Sequence, residues 1–313
     1  MIQLSIIVPI YNVEQYIAQC LDSVYHQDIP EEEYEVICVN DMSPDNSRDT
    51  VIAYQKDHAN LYLIDHEVNK KLGGARNTGI RAARGKYILF LDSDDMLAQN
   101  CLKKLIGEMD AHDDEYIHFN YIEFFEDGTF GPELAFDYGT QQTTGADLLF
   151  CRVVPWQYQM SACFKMYKTN FIQQNDLYFV ENTMFEDNDF SMRVAAAATK
   201  CRHLEISPYI YRQNLESVTK APVSATRLLY WQKTWPIITA LIHTIGKQDT
   251  RFINLINTYM YYNLWEFLNG LNNLSTNQKK YVKQNVSIYK WLYYLHFLPI
   301  KSRIKYIYKL LKL

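Results

Sequence analysis

Apolar residues follow two kinds of pattern over the first hundred positions. Runs rich in β-branched and aromatic residues at 4–8, 34–39, 61–64 and 87–91 predict strands. Apolar residues that recur every three or four positions predict helices over 13–24, 47–57 and 74–83, the first with Asn12 as its N-cap. Because strands and helices alternate, the sequence predicts an α/β fold with a mostly parallel central sheet.

Acidic residues follow the fourth predicted strand. That strand is almost entirely apolar, so we expect it at the centre of the sheet, with Asp92-Ser93-Asp94-Asp95 at its carboxyl end. Ligands of open α/β sheets bind at this edge, and a second polar turn at 40–45 ends another predicted strand there. Carboxylates in such a turn hold Mg²⁺ or Mn²⁺ or bind ligand hydroxyls, but they also cap helices or remain solvated. The turn alone leaves both interpretations open.

The pattern changes after about residue 100. Residues 116–125 predict another strand, and residues 145–221 are predicted to be mixed helix and loop. From residue 223 onward the chain becomes strongly helical and aromatic. We therefore expect a first domain over residues 1–222 and a separate C-terminal helical region over residues 223–313.

Composition narrows the class of protein. With 313 residues and 48% hydrophobic content the chain can bury a sizeable core, and a net charge of −5 does not favour nucleic acid as a partner. The six cysteines lack the paired spacing of a zinc site or a redox dithiol. The start has no basic leader, and no run reaches the roughly 18 apolar residues of a transmembrane helix. These features predict a cytoplasmic protein.

The last segment differs in charge from the acidic remainder of the chain. It contains nine Lys or Arg residues and no acid between positions 279 and 313. A helix there would present an apolar face and a basic face, formed by Ile300, Ile304, Ile307 and Leu311 and by Lys301, Lys305, Lys309 and Lys312. Such a helix suits peripheral contact with an anionic membrane, here the cytoplasmic face of an inner membrane, or it packs on the first domain.

Five motifs occur in a fixed order within residues 1–220. They are SIIVPIYN at 5–12, VNDMSPD at 39–45, GARNTG at 74–79, FLDSDD at 90–95 and FED at 185–187. Together they resemble the family 2 glycosyltransferases, which have the Rossmann-like GT-A nucleotide-diphospho-sugar transferase fold. The resemblance implies an inverting, metal-dependent enzyme that moves a sugar from a nucleotide-sugar, by implication a UDP-sugar, to an acceptor hydroxyl. It also implies bacterial surface-polysaccharide or glycolipid assembly, with a glycan or lipid-linked glycan as acceptor.

The resemblance implies a base pocket at the ends of the first two strands. Pro9 and Tyr11 would line it, with Tyr11 stacking on the base, and Asp41 would accept a hydrogen bond from uracil. Asn12 lies in the same motif and is included in the donor site. Asn40 stands where the family usually has Asp, which leaves the preference for uracil less secure.

The phosphate and sugar side of the donor is implied by the two following motifs. Arg76 and Asn77 would lie beside the diphosphate or the sugar, and Asp92 would bind the ribose. Asp94 would bind the divalent metal, Mn²⁺ or Mg²⁺. Ser93 belongs to the same motif, and Asp95 and Arg212 are weaker candidates for this site. For Arg212 a surface ion pair is the alternative.

Glu186 and Asp187 match the family's late acidic pair, in which the Asp is the general base. A sugar hydroxyl is a very weak acid, so a carboxylate must take its proton as the new bond forms. We expect Asp187 in this role, with Glu186 as the alternate or a structural partner. Acids in a first helical turn also stabilise the helix dipole, and the two roles are compatible.

Other functions are less consistent with these residues. A non-catalytic nucleotide-sugar sensor or membrane scaffold of the same fold would not need Asp187. A nucleotidyltransferase would use a metal and an α/β sheet but leaves Asp187 unexplained. Transfer from ATP lacks a P-loop, and a serine hydrolase lacks a Gly-x-Ser-x-Gly turn.

Overall fold

Four parallel strands form one side of the sheet. The structure, a computed structural model, describes residues 1–134, 140–153, 160–183, 186–213 and 274–285. In chain order its first elements are β1 (Leu4–Ile10), α1 (Ile17–Tyr25), β2 (Tyr34–Asn40), α2 (Ser47–Tyr54), β3 (Leu61–Asp65), α3 (Lys71–Ala82) and β4 (Tyr87–Phe90). Parallel ladders join β3 to β2, β2 to β1 and β1 to β4. The predicted alternation is therefore present.

Antiparallel pairs extend this sheet beyond β4. The added strands are β5 (Met96–Leu97), β6 (Tyr116–Phe125), β7 (Phe130–Leu134), β8 (Lys165–Lys168) and β9 (Cys201–Gln213). Within the described residues the strand order is β3-β2-β1-β4-β8-β6-β9-β5, and β7 pairs with β6. β8 is antiparallel to both β4 and β6, whereas β6 and β9 are parallel. The sheet is thus parallel on one side and mixed on the other.

Helices follow in the rest of the described chain. They are α4 (Leu102–His112), α5 (Gly145–Val153), α6 (Thr169–Gln174), α7 (Glu186–Ala197) and α8 (Thr276–Asn285). Short 3₁₀ turns at Glu31–Glu33 and Ala162–Phe164 precede β2 and β8. An aromatic cluster packs β4 against α7, because the Phe90 ring meets the Phe190 ring edge-on, with centroids 6.1 Å apart.

Glycines bring α3 close to its neighbours. A Cβ atom at Gly79 would lie 2.3 Å from Cγ2 of Ile7, so the helix contacts β1 more closely than any other residue would permit. A Cβ atom at Gly73 would lie 2.8 Å from the carbonyl oxygen of Val180 and 3.3 Å from Cγ of Glu186. These close approaches bring α3 against β1 at one glycine and against Val180 and Glu186 at the other.

Two local predictions are wrong. The first helix begins at Ile17 with Tyr16 at its N-cap, and Asn12 has a left-handed backbone, with φ of 57°, that places it in the preceding turn. The long strand β9 was not expected within residues 145–221. Its buried polar residues interrupt the apolar pattern that would have predicted a buried strand. In the structure Arg202 binds Asp114 and His203 binds His118.

The chain divides into two compact units. The first comprises Met1–Asn182 and Glu186–Leu215, and the second comprises Thr183–Phe185 and Glu216–Leu313. The predicted domains 1–222 and 223–313 stay a prediction. The basic and apolar faces predicted over residues 300–312 lie outside the described residues. In the part of the chain that the structure describes, no helix is long and apolar enough to cross a membrane.

Candidate functional site

The ends of β1 and β2 lie side by side at one edge of the sheet. The backbone N–H of Asp41 donates to the carbonyl oxygen of Ile10 over 3.0 Å, which continues the ladder past both strands. One step further, the N–H of Asn12 donates to Oγ of Ser43 over 2.8 Å. These bonds bring together the two motifs that the sequence assigned to a base pocket.

Tyr11 and Pro9 occupy different environments at this edge of the sheet. The Tyr11 side chain is 50% exposed, as a ring that stacks on a ligand would be. Pro9 is buried in β1, opposite Val39 of β2 and beyond the last residue that pairs with β4. A proline is tolerated in this central strand because no β4 partner faces it.

The Asp41 carboxylate is held by hydrogen bonds from residues that the sequence motifs do not include. Its Oδ1 accepts hydrogen bonds from Nδ1 of His66 and from the N–H of Lys70, both over 2.7 Å. Nε2 of His66 lies 2.8 Å from Oγ1 of Thr78 on α3. The carboxylate is thus fixed through one oxygen, and the position of His66 directly after β3 was the only signal in the sequence for this role.

Asn40 binds within the protein. Its Nδ2 donates to Oδ1 of Asp65 over 2.7 Å, and its Oδ1 accepts from the N–H of Ser43 over 3.0 Å. Arg48 binds the same Asp65 with two hydrogen bonds of 2.9 and 2.8 Å. An aspartate at position 40 has no donor for Asp65, so asparagine suits this local arrangement.

The turn Asp92 to Asp95 is tied to β9. The hydroxyl of Tyr209 donates to Oδ2 of Asp95 over 2.6 Å and accepts from the N–H of Asp92 over 3.2 Å. The N–H of Arg212 donates to the other oxygen of Asp95 over 2.7 Å. Burial, and next the charge of Asp94, raises the pKa of Asp95. Asp95 therefore has a structural role, in which its buried side chain fixes the conformation of the turn. Ser93 is buried as well.

Arg212 also holds this turn. Its Nε donates to the carbonyl oxygen of Asp94 over 2.7 Å, and its Nη2 donates to Oε1 of Gln19 over 2.6 Å. The guanidinium lies 5.0 Å from the ring centroid of Tyr16 and 4.9 Å from that of Phe124. These contacts position the backbone of the acidic turn, and because Arg212 is buried the alternative of a surface ion pair is wrong. Its contact with the donor stays a prediction.

Asp94 has the chemistry of a ligand for a hard cation. Burial raises its pKa to about 6, the neighbouring Asp92 carboxylate adds to the rise, and the positive charge of Arg212 opposes it. No group of three His, Cys, Asp or Glu side chains that would hold a metal occurs among the described residues. Mg²⁺ and similar ions are commonly held by one or two carboxylates together with substrate phosphates, and the turn fits a site of that kind.

Arg76 joins the acidic turn to the late acidic pair. Its side chain is completely buried, and Nη2 donates to Oδ1 of Asp92 over 2.8 Å. Nη1 donates to Oε1 of Glu186 over 3.0 Å and to Oδ1 of Asp187 over 2.5 Å. The guanidinium also lies 5.2 Å from the ring centroid of Phe179. One planar cation thus binds three carboxylates that come from two distant parts of the chain.

Asn77 performs a related positioning role. Its Nδ2 donates to the carbonyl oxygen of Phe179 over 2.9 Å, and its Oδ1 accepts from the N–H of the same residue over 2.7 Å. Because the side chain is buried and bonded in this way, it anchors the segment that packs on Arg76. The expected contact between Asn77 and the diphosphate or sugar stays a prediction.

Glu186 and Asp187 differ in access to solvent. The Asp187 side chain is 23% exposed and that of Glu186 only 6%. Burial raises the pKa of Glu186, and the charge of Asp187 contributes to this rise. Burial also raises the pKa of Asp187, against the opposing effect of Arg76. Asp187 is therefore the more accessible carboxylate of the pair.

Lys165 is a second buried cation beside the pair. Its Nζ donates to the carbonyl oxygen of Ser161 over 2.8 Å, and the side chain is fully buried. Burial lowers its pKa to about 7, while the charge of Asp187 works in the opposite direction. Lys165 could not be singled out from the sequence, because a single lysine in a short strand carries no motif.

Comparison with known sequences places the chain in a family. The sequence model of glycosyl transferase family 2 matches residues 5–174. The glycosyltransferase EpsJ of Bacillus subtilis is 31% identical over 251 residues, which cover 77% of this chain and 70% of EpsJ. The poly(ribitol-phosphate) beta-N-acetylglucosaminyltransferase TarS of Staphylococcus aureus is 32% identical over 221 residues, 69% of this chain but 36% of TarS. The chain belongs to glycosyl transferase family 2, as predicted.

Solved structures share its fold. The crystal structure of S. aureus TarS 1–349 in complex with UDP-GlcNAc has a TM-score of 0.69 at 23% identity, over 97% of this chain and 81% of that one. The mannosyltransferase PcManGT of Pyrobaculum calidifontis, with GDP-Man and Mn²⁺, has a TM-score of 0.59 at 15% identity, over 98% and 85% of the chains. The predicted fold class is confirmed.

Proposed function

We propose that this chain is an inverting, metal-dependent glycosyltransferase that moves a sugar from a UDP-sugar to a hydroxyl of a glycan or lipid-linked glycan. The observation that carries this proposal is the Arg76 guanidinium, which binds Asp92 on one side and Asp187 on the other. A nucleotide-sugar transferase needs a donor site and a base on opposite sides of one anomeric carbon. A protein that only binds a nucleotide-sugar would not need the base.

The donor occupies the edge formed by β1, β2 and β4. Tyr11 stacks on the base, and Asp92 binds the ribose. Asp41 accepts a hydrogen bond from the N–H of the base through Oδ2, because its Oδ1 is bonded to His66 and Lys70. TarS, whose crystal structure contains UDP-GlcNAc, supports a uridine nucleotide as donor.

A divalent cation fits beside Asp94. When bound, Mn²⁺ or Mg²⁺ supplies positive charge that stabilises the leaving diphosphate. Asp94 would hold it, and Arg212 and Tyr209 keep the acidic turn in the conformation that allows this. The mannosyltransferase PcManGT, whose structure contains Mn²⁺, supports the same proposal.

Asp187 takes the acceptor proton. Its raised pKa makes it a stronger base than an ordinary aspartate, and Arg76 holds its carboxylate in one orientation. Attack by the activated oxygen on the face opposite the diphosphate inverts the anomeric centre in one step. Glu186, which is more deeply buried, supports Asp187 through the shared Arg76.

The acceptor belongs to a bacterial surface polymer. The name of TarS indicates transfer to poly(ribitol-phosphate), which supports an acceptor of this general kind. We place the enzyme in the cytoplasm, with the basic residues of the last segment in peripheral contact with the inner membrane. Replacing Lys301, Lys305 and Lys309 by Gln in the full chain should reduce its flotation with anionic vesicles, and unchanged flotation would exclude this contact.

Release of nucleoside diphosphate from a panel of nucleotide-sugars, with Mn²⁺ present, tests the enzyme proposal. We expect a UDP-sugar to react, with activity lost on chelation and restored by Mn²⁺. Asp187→Asn should keep donor binding and lower turnover by about 10²- to 10⁴-fold, because the base acts only in the transition state. Asp94→Ala should weaken donor binding that depends on the metal.

Several results would contradict the proposal. If Asp94→Ala and Asp187→Asn both kept the wild-type rate, these residues would not form the site. Binding without turnover, for every donor and acceptor supplied, would indicate a sensor. A product with the anomeric configuration of the donor, measured by NMR, would exclude inversion.

A further inference from the structure

Met42 adopts a backbone conformation that is unusual for a methionine. Its φ of 59° lies in the left-handed region, which side chains other than Gly, Asn and Asp rarely occupy. The side chain does not offset this strain by packing in the core, because it is 50% exposed. A large apolar residue is thus held in a strained conformation with half of its surface in water.

The residues on both sides of Met42 impose this conformation. On one side, the carbonyl oxygen of Asp41 accepts a hydrogen bond from Nδ2 of Asn69 over 2.9 Å. On the other side, Oγ of Ser43 accepts from the N–H of Asn12 over 2.8 Å. Strain that the surroundings enforce in this way is concentrated at ligand sites.

Met42 and Tyr11 are two exposed apolar side chains that follow neighbouring strands at this edge. Tyr11, 50% exposed, follows the end of β1, and Met42 follows the end of β2. The backbone bonds from Asp41 to Ile10 and from Asn12 to Ser43 lie on either side of this pair. Asp41, directly before Met42, has a buried carboxylate at the same edge. The surface therefore combines two apolar side chains with one acceptor, which suits a flat heterocycle that has an N–H group at its edge.

We propose that Met42 packs against the nucleobase of the donor and contributes to base recognition together with Tyr11. This inference rests on the proposed function, because it requires a nucleotide at this edge. A thioether is polarisable and makes favourable contacts with aromatic rings, and its flexible chain adjusts to the ring. The contact would account for a methionine at a position where glycine would be free of strain.

Three substitutions at position 42 separate a side-chain contact from an effect on the loop. Met42→Gly and Met42→Asn both accept a left-handed backbone, but only glycine makes the loop more flexible. We expect both to bind UDP about three- to tenfold more weakly in calorimetry with Mn²⁺, the range of one sulfur–aromatic contact. Neither should lower the melting temperature. Met42→Leu, which keeps an apolar side chain, should bind UDP within about twofold of wild type.

A matched control removes an exposed apolar side chain elsewhere. Phe130→Ser, on β7, should leave UDP binding unchanged, because Phe130 is 58% exposed and outside this edge. The inference is wrong if Met42→Asn binds UDP as wild type does, or if Met42→Leu binds as weakly as Met42→Gly. Wild-type protein that binds none of UDP, GDP, ADP or CDP would overturn the proposed function and this inference together. If the wild type binds UDP and the Met42 variants bind it with the same affinity, this inference alone is wrong.

Discussion

Nη1 of Arg76 lies 2.5 Å from Oδ1 of Asp187, and the same guanidinium binds Asp92 through Nη2 over 2.8 Å. The side chain is completely buried, so these bonds have a fixed geometry. Three carboxylates, including Glu186, share this cation. The Arg76 guanidinium therefore positions both Asp92, which we assign to the ribose, and Asp187, which we assign to the acceptor proton.

Replacing Arg76 by Lys should separate these two residues. Lysine keeps the charge but cannot donate to both sides at once, because it lacks the planar fork of the guanidinium. We expect Arg76→Lys to lower kcat/KM about 100-fold, the effect of a misplaced reacting group. The measurement is steady-state release of nucleoside diphosphate from the reacting donor.

Arg81→Lys is the matched control for Arg76. Arg81 lies on the same helix, is 54% exposed and approaches Glu181 at only 3.9 Å. Its replacement should leave kcat/KM within about twofold of wild type, since exposed ion pairs contribute little. Full activity in Arg76→Lys would show that the fork is not needed.

Lys165→Met should stabilise the protein, and by more at low pH than at high pH. Burial lowers the pKa of Lys165 from 10.5 to about 7, so below pH 7 the folded chain carries a buried ammonium group. Between pH 7 and 10.5 the folded state has lost this proton while the unfolded state keeps it, and stability rises with pH. The gain in melting temperature should therefore be largest at pH 6 and smaller at pH 9.

Lys168→Met provides the comparison on the same strand. Lys168 is partly exposed and binds Asp113 over 2.5 Å, so its replacement should show no gain that declines over this pH window. Melting curves of both variants at pH 6, 7, 8 and 9 make the measurement. A gain for Lys165→Met that is independent of pH would argue against a lowered pKa.

Tyr209→Phe should weaken both the fold and the donor site. The hydroxyl donates to Asp95 and accepts from the N–H of Asp92, so its loss leaves two polar groups of the turn without this partner. We expect the free energy of unfolding to fall by about 2 kcal/mol and donor binding with Mn²⁺ to weaken. Thermal melting and calorimetry measure the two effects.

Tyr167→Phe distinguishes a local effect from general destabilisation. Tyr167 is also fully buried, and its hydroxyl donates to the carbonyl oxygen of Ala162 over 3.1 Å. This substitution should lower stability and leave donor affinity unchanged. Equal donor affinities for Tyr209→Phe and wild type would contradict a positioning role for Tyr209.

Asn40→Asp should destabilise the chain near neutral pH. The new carboxylate would face Oδ1 of Asp65, to which Asn40 now donates over 2.7 Å. We expect a loss of about 1 kcal/mol, because a hydrogen bond becomes a contact between like charges. The double variant Asn40→Asp/Asp65→Asn should recover most of the loss in chemical unfolding. If it is no more stable than the single variant, the pairing does not explain Asn40.

The parts of the site that follow the sheet were predictable from the sequence. The apolar runs and their helical connections place residues 41 and 92 at the carboxyl ends of parallel strands, and this order is a local property of the chain. The structure places both residues at these ends, because Asp41 follows β2 and Asp92 follows β4. Motif resemblance added Glu186 and Asp187, which periodicity alone would have assigned to an ordinary helix start.

The positions of Arg76 and β9 depended on tertiary structure. Arg76 meets Asp187 across 111 positions of the chain, and no local pattern states which distant segments will pack together. The strand β9 contains Arg202 and His203, which are acceptable in the interior because Asp114, just before β6, binds Arg202 and His118 on β6 binds His203. His66 and Lys165 acquire their roles in the same way. The sequence by itself determined the first four strands along the chain and the acidic turn after the fourth, through local periodicity and chain order. Only the folded chain decided which charges share one guanidinium, because burial makes each charge depend on partners distant in sequence.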